Sequence, residues 1–352
     1  MFQVYLPIVE VHINILYLLS ISGFIGFLSG LLGIGGGFLM TPVLIFFGIP
    51  PMHAIANGSN NILASSVSGT FAHWYKKQVD IKMGFYILGG GFFGATIGIY
   101  FIKLLIQAGK INTITSILYF VLLTSFGLLM FIESLAEYRR IKNKKFIRQK
   151  FRKHTWIHGL PFKVRMNSSR LYISIIPPIF FGFLTGIISS MMGVGGAFIL
   201  IPVMIYVLGM PSKLVPGTSL FVMIFVMTFV TFFHAITNHN IDLILVSILM
   251  LGSVIGVQLG TRLGMNLKNE ELRILMSIII TIFGLKFGYS LFVEELKFKI
   301  FKKIESQDHL NFFQDFIYQF VNTSPILYAL TAVGLAILIG YFSSFIFKKL
   351  KY

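Results

Sequence analysis

Long uninterrupted apolar runs, rather than alternation, organise this chain. They fall at 12–32, 38–51, 55–74, 83–106, 112–135, 171–192, 194–209, 214–236, 241–263, 270–292 and 324–347. A run of about 20 apolar residues crosses the ~30 Å hydrocarbon core as a helix, and most of these runs reach or approach that length. From Gly23 to His53 there is no Asp, Glu, Lys or Arg. The pattern predicts an all-α, polytopic helical protein of the cell (cytoplasmic) membrane, multi-pass, with nine to eleven membrane segments.

Two polar stretches divide the runs. The resulting plan is a first transmembrane repeat at 1–135, a basic cytoplasmic linker at 136–170, a second repeat at 171–292, an amphipathic connector at 293–323, and an additional C-terminal transmembrane helix within 324–352. The repeat is read directly from the residues. "GFLSGLLGIGGGFLMTPVLIFFGIPP", from Gly26, matches "GFLTGIISSMMGVGGAFILIPVMIYVLGMP", from Gly182, once four extra residues are allowed before Gly193. Gly33 to Pro42 has the spacing of Gly193 to Pro202, and Pro51 to Ser59 that of Pro211 to Ser219. His73 corresponds to His234 within one residue. Gly90, Gly94 and Gly98 mirror Gly252, Gly256 and Gly260, with Asp80 and Asp242 at matching distances ahead.

Charge orients the halves. If each long opening run (11–51 and 171–209) breaks at its glycines and crosses twice, the loops with Lys76, Lys77 and Lys82, then Arg262, Lys268 and Arg273, join the linker on the cytoplasmic side. Five crossings per half make the two repeats inverted. About 39 helical residues at ~1.5 Å each reach roughly 60 Å, enough for two crossings. The leg 38–51 is short, so it either spans or re-enters.

Composition narrows the function. Charged residues are 12% of the chain, against about 25% in soluble domains. The net charge of +17 is concentrated, because 12 of the 29 Lys and Arg lie between Arg139 and Arg170. That is the mark of a cytoplasmic loop meeting anionic lipids; no basic module interleaved with base-stacking aromatics suggests nucleic acid. The absence of cysteine excludes disulfides, thiolate metal sites and cysteine nucleophiles. No basic region precedes the first apolar run, so that run is expected to be retained rather than cleaved.

Glycines carry the candidate chemistry. At four-residue spacing, Gly90-Gly94-Gly98 and Gly252-Gly256-Gly260 read as helix-packing seams. The clusters Gly33, Gly35, Gly36, Gly37 and Gly193, Gly195, Gly196 face several sides of a helix at once and are followed by Pro42 and Pro202, so they read as helix breaks. Unwound backbone in a membrane needs a cavity, a ligand or protein to satisfy it, and paired breaks in two halves point to a transporter site. Half-helix N-termini favour an anion. The expected substrate-binding residues are Gly35, Gly36, Gly37, Asn57 and Ser59 in the first half, and Gly195, Gly196, Ala197, Thr218 and Ser219 in the second. Asn57, Ser59, Thr218 and Ser219 also read as helix caps. Asn60, Asn61, Ser65, Ser66 and Ser68 add further polar groups. His73 and His234, near helix ends, are candidates for proton coupling. "GIGGG" lacks the Gly-Lys-Ser/Thr ending of a phosphate loop. No mid-span Asp or Glu supports a cation pump, and no cofactor or metal is expected.

With these motifs in view, the chain resembles the sulfite exporter TauE/SafE family. The residues that carry the resemblance are "GFLSGLLGIGGGFLMTPVL" and "ANGSNNILASSVSGTFAHW", then "GVGGAFILIPVM" and "VPGTSLFVMIFVMTFVTFFH". The resemblance covers roughly 12–135 and 171–292, and it implies transport of a small anion, often a sulfur oxyanion or organosulfonate. "NGS" stands where a Thr-Ser pair is more typical, and the basic linker and terminal helix are additions. Two rival readings are an intramembrane serine protease or lipid-phosphate hydrolase, using Ser59 with His73 or His234, and a non-transporting scaffold.

Overall fold

The computed structural model describes residues 3–6, 9, 11–32, 39–109, 111–142, 160–238, 240–263 and 269–291. The first-half break Gly33–Phe38, the central part of the linker, the connector and the expected terminal helix lie outside the described residues. Among the described residues the chain is helical, with two small hairpins that apolar periodicity did not anticipate. The first joins β1 (Gln3–Leu6) to β2 (Val11–Asn14), and the second joins β3 (Lys163–Met166) to β4 (Leu171–Ser174). Each runs directly into a long helix.

The first half continues with α1 (Ile15–Leu32), α2 (Met40–Phe46), α3 (Pro51–Trp74), α4 (Ile81–Gln107) and α5 (Ile111–Lys142). The second half holds α6 (Ile176–Met192), α7 (Ala197–Pro202), α8 (Val215–Asn238), α9 (Leu243–Leu263) and α10 (Asn269–Tyr289). Among the described residues, four segments are long and apolar enough to cross a membrane: 81–107, 111–136, 215–236 and 243–263. Helix starts follow local chemistry. Pro51 opens α3, where its missing N–H is not needed, and Asp80 caps α4 by accepting from Met83 N–H at 3.1 Å.

The leg expected at 38–51 contains only the seven-residue α2, about 10 Å long and too short to span the core as a helix. Both edges of the linker stretch carry structure. Helix α5 runs on to Lys142, and the residues from Lys163 to Ser174 fold as the hairpin that opens the second half.

The helices fall into two compact units, residues 1–111 with 146–269 and residues 112–145 with 270–352. In the first, the halves are interlaced. Helix α1 packs along α9, where Gly252, Gly256 and Gly260 meet the backbone of Leu19, Gly23 and Phe27 so closely that a methyl group would overlap. Helix α4 packs along α6 in the same manner, with Gly90, Gly94 and Gly98 against Ile179, Phe183 and Ile187. Both pairs run parallel. Both glycine triplets are therefore packing seams, as the sequence indicated. Between them, Gly217 lies against His73 and Gly69 against Leu220, so α3 and α8 run antiparallel. The second unit contains α5 and α10, also antiparallel: Gly127 lies on Thr281, Gly284 on Thr124, and Tyr119 stacks on Phe287 with centroids 4.8 Å apart.

Candidate functional site

The second-half break is visible in full. Helix α6 ends at Gly193 (φ +62°), whose N–H donates to Ser189 O at 2.8 Å. Gly195 (φ +82°) and Gly196 (φ +56°) are also left-handed, a conformation that costs a residue with a Cβ roughly 1–2 kcal/mol. These glycines are required by backbone geometry as well as by space. Chain direction recovers at Ala197, and α7 passes after Pro202 into a π-helical turn, Val203–Val207. In the second half the glycines, not the proline, make the break. Pro42 sits in the first turn of α2, and Pro202 marks the change from α to π winding.

The break is held by the other half. Thr41 Oγ1, on α2, donates to Gly193 O at 2.8 Å. Gly193 rests on the backbone of Ile55, and Gly195 faces Ile62 of α3 and Met223 of α8. Gly196 stands over Thr185, with Ser189 Oγ 3.4 Å from the point a Cβ would occupy.

Several buried polar atoms of the surrounding helices have no hydrogen-bond partner among the described residues, and Ser189 Oγ lies directly against the stretch. Ser189 Oγ, Ser66 Oγ, Asn61 Nδ2 and Ser29 Oγ belong to fully or almost fully buried residues. Asn61 uses only its carbonyl, which accepts from Ser253 Oγ at 2.6 Å. Ser66 lies one helical turn beyond Ile62. Ser29 and Ser189 each precede the first glycine of their break by the same four residues, a signal that sequence reading overlooked.

The four polar side chains expected to bind substrate are placed differently. Asn57 and Ser59 are two turns inside α3, because that helix begins at Pro51 rather than near "NGS". Asn57 Nδ2 donates to His53 O at 2.7 Å and Asn240 O at 3.1 Å, and its Oδ1 accepts from Asp242 N–H at 2.9 Å. Ser59 Oγ donates to Ile55 O at 2.8 Å. Thr218 Oγ1 donates to Leu214 O and accepts from Asp80 N–H at 2.9 Å, while Ser219 Oγ donates to Pro216 O. These groups serve helix connections: α3 is tied to the start of α9, and α8 to the start of α4.

His234 is fully buried on α8, with Nε2 3.4 Å from Ser190 O, rather than at an exposed helix end. His73, in the last turn of α3, places Nδ1 2.9 Å from Gln78 Oε1, and its buried Nε2 has no partner among the described residues. Ser59 and His73 are 14 residues apart on one helix, about 21 Å, so they do not form a nucleophile–base pair. Among the described residues no cluster of His, Asp or Glu is suited to hold a metal ion. The buried Asp80 and Asp242 act as helix caps.

The family model for "Sulfite exporter TauE/SafE" matches residues 18–287, which takes in both halves and the site just described. The chain belongs to the sulfite exporter TauE/SafE family. It is similar to the probable membrane transporter proteins YjnA and YunE of Bacillus subtilis, 26% and 25% identical over 75% of this chain and 95% and 93% of theirs. A shorter match, 31% identical over 26% of this chain and 20% of the relative, links it to sulfite exporter TauE/SafE family protein 3 of Arabidopsis thaliana. No solved structure matches. Family membership and the apolar helices together make this a multi-pass membrane transporter of the TauE/SafE family.

Proposed function

We propose that this transporter moves a small oxyanion, such as sulfite, an organosulfonate or a related carboxylate, across the cytoplasmic membrane by alternating access around the broken helices. One observation carries the reading: the buried Ser189 hydroxyl, which has no partner among the described residues, stands beside an unwound glycine stretch, with no buried Lys or Arg among the described residues. Such groups are costly to leave unpaired, about 1–3 kcal/mol each, and an anion that has shed its water would satisfy them. Ser189, Ser66 and Asn61 would donate, together with backbone N–H groups at Gly195–Ala197. Ser29 and Gly35–Gly37 would form the opposite wall. Thr41 would keep the Gly193 carbonyl turned away from the anion.

Alternating access needs two equivalent halves in opposite orientations. The antiparallel pairs α3/α8 and α5/α10, and the crossed pairs α1/α9 and α4/α6, support a pseudo-two-fold axis in the membrane plane relating inverted repeats. The name of the Arabidopsis relative supports sulfite as the first anion to try.

The test is flux in proteoliposomes, with sulfite, sulfate, thiosulfate, sulfoacetate and acetate as candidate substrates. We expect one of the oxyanions to be carried by the unaltered protein, and Gly36→Leu and Gly196→Leu each to abolish its passage. Full flux in both variants would remove the site from these residues.

A further inference from the structure

The hairpin that opens the second half carries chemistry the transport site does not use. Its strands have two faces. Val164, Met166, Leu171 and Ile173 turn inward, with Met166 and Ile173 buried, while Lys163, Arg165 and Tyr172 turn outward. The hairpin is firmly placed. Ser169 N–H donates to Asp80 Oδ2 at 3.0 Å, Lys82 Nζ donates to Arg165 O at 3.0 Å, and Ser174 Oγ donates to Pro161 O at 2.7 Å. Asp80 is the cap of α4, so the hairpin is fastened to the helix bundle rather than free in solvent.

At the hairpin tip, Arg165, Met166, Asn167 and Arg170 line a cavity of about 420 Å³. Among the described residues neither guanidinium has a hydrogen-bond or ion-pair partner. Tyr172 stands exposed opposite Arg165, Phe162 stands exposed at the hairpin's base, and α6 then presents Ile176, Ile179 and Phe180 outward. Basic residues of the tip give way to the apolar start of α6 across the four residues of β4, which places the cavity at headgroup depth, with Tyr172 as an interfacial aromatic.

We propose that this cavity binds the phosphate of an anionic phospholipid headgroup. Arginine forks match phosphate oxygens in pairs, and Asn167 offers an amide donor beside them. Two cations that find neither partner nor carboxylate among the described residues select a headgroup of net negative charge. Asp80, the acid near the hairpin, already accepts from Ser169 and Met83. A zwitterionic choline would bring a positive group against the arginines.

The full chain in detergent, titrated with short-chain phosphatidylglycerol or phosphatidylcholine and read by native mass spectrometry, tests this, because only folded protein is counted. Phosphatidylglycerol should bind the unaltered chain, and Arg165→Gln with Arg170→Gln should weaken it roughly 25-fold, given about 1 kcal/mol per charge. Lys213→Gln, an exposed charge outside the cavity, should leave binding unchanged. Arg165→Lys with Arg170→Lys should restore part of the affinity, which a folding defect would not allow. Equal binding of the two lipids, equal binding by the unaltered chain and the double Gln variant, or full displacement by an equal concentration of glycerol phosphate would each overturn the proposal.

Discussion

Ser189 and Asn57 are both buried serine-or-amide positions in this fold, yet their hydrogen bonds give them opposite expected behaviour. Ser189 Oγ has no partner among the described residues, so Ser189→Ala should leave stability unchanged or raise it by up to about 1–3 kcal/mol, read as an equal or higher unfolding midpoint, while lowering anion flux. Asn57 bridges His53, Asn240 and Asp242, so Asn57→Ala strands buried backbone groups and should cost about 1–3 kcal/mol, read as a lower unfolding midpoint in detergent. If both variants lose flux without any loss of stability, the distinction between the two residues fails. The sequence marked Asn57, Ser59, Thr218 and Ser219 because polar residues after a proline resemble helix starts. Only the coordinates reveal that α3 starts earlier and that these donors already serve neighbouring carbonyls. Ser66 and Asn61 read in the sequence as surplus polarity, and each keeps a buried polar atom without a partner among the described residues.

Among the elements, glycine spacing was the most readable signal. Four-residue repeats require one face to approach a neighbour, and α4 and α9 both do so. Gly94→Leu should force α4 and α6 apart, with an overpacking cost of about 1–3 kcal/mol or loss of folded protein in size-exclusion chromatography. Gly89→Ala, one residue from the seam with nothing within 4 Å, should be neutral or stabilise α4 by roughly 0.5–1 kcal/mol. A similar loss in both variants would show that the seam is not specific. The hairpins were missed because four-residue strands are too short to register against long apolar runs, although "KVRM" and "LYIS" do alternate across the Asn167-Ser168-Ser169-Arg170 turn. The swapped pairing of α1 with α9 and α4 with α6 left no mark in either half alone, since a glycine seam does not name its partner.

For the molecule as a whole, the helix directions make a test of topology direct, because the chain has no cysteine of its own. The end of α3 meets the start of α8, so Lys76→Cys and Lys213→Cys should react with an impermeant maleimide from the same side of the membrane. Ala108→Cys, beyond the far end of α4, should react only from the opposite side. Labelling of all three from one side would exclude the inverted arrangement.

The interlacing of the halves also has a consequence for biogenesis. Gly23 and Phe27 of α1 find their partners only when Gly252, Gly256 and Gly260 of α9 have been made. At about 5–20 residues per second of synthesis, α1 waits roughly 10–45 s in the bilayer with its small-residue face uncovered. Either half produced alone should therefore be a substrate for membrane proteases, while the two halves produced together as separate chains should protect each other and co-purify.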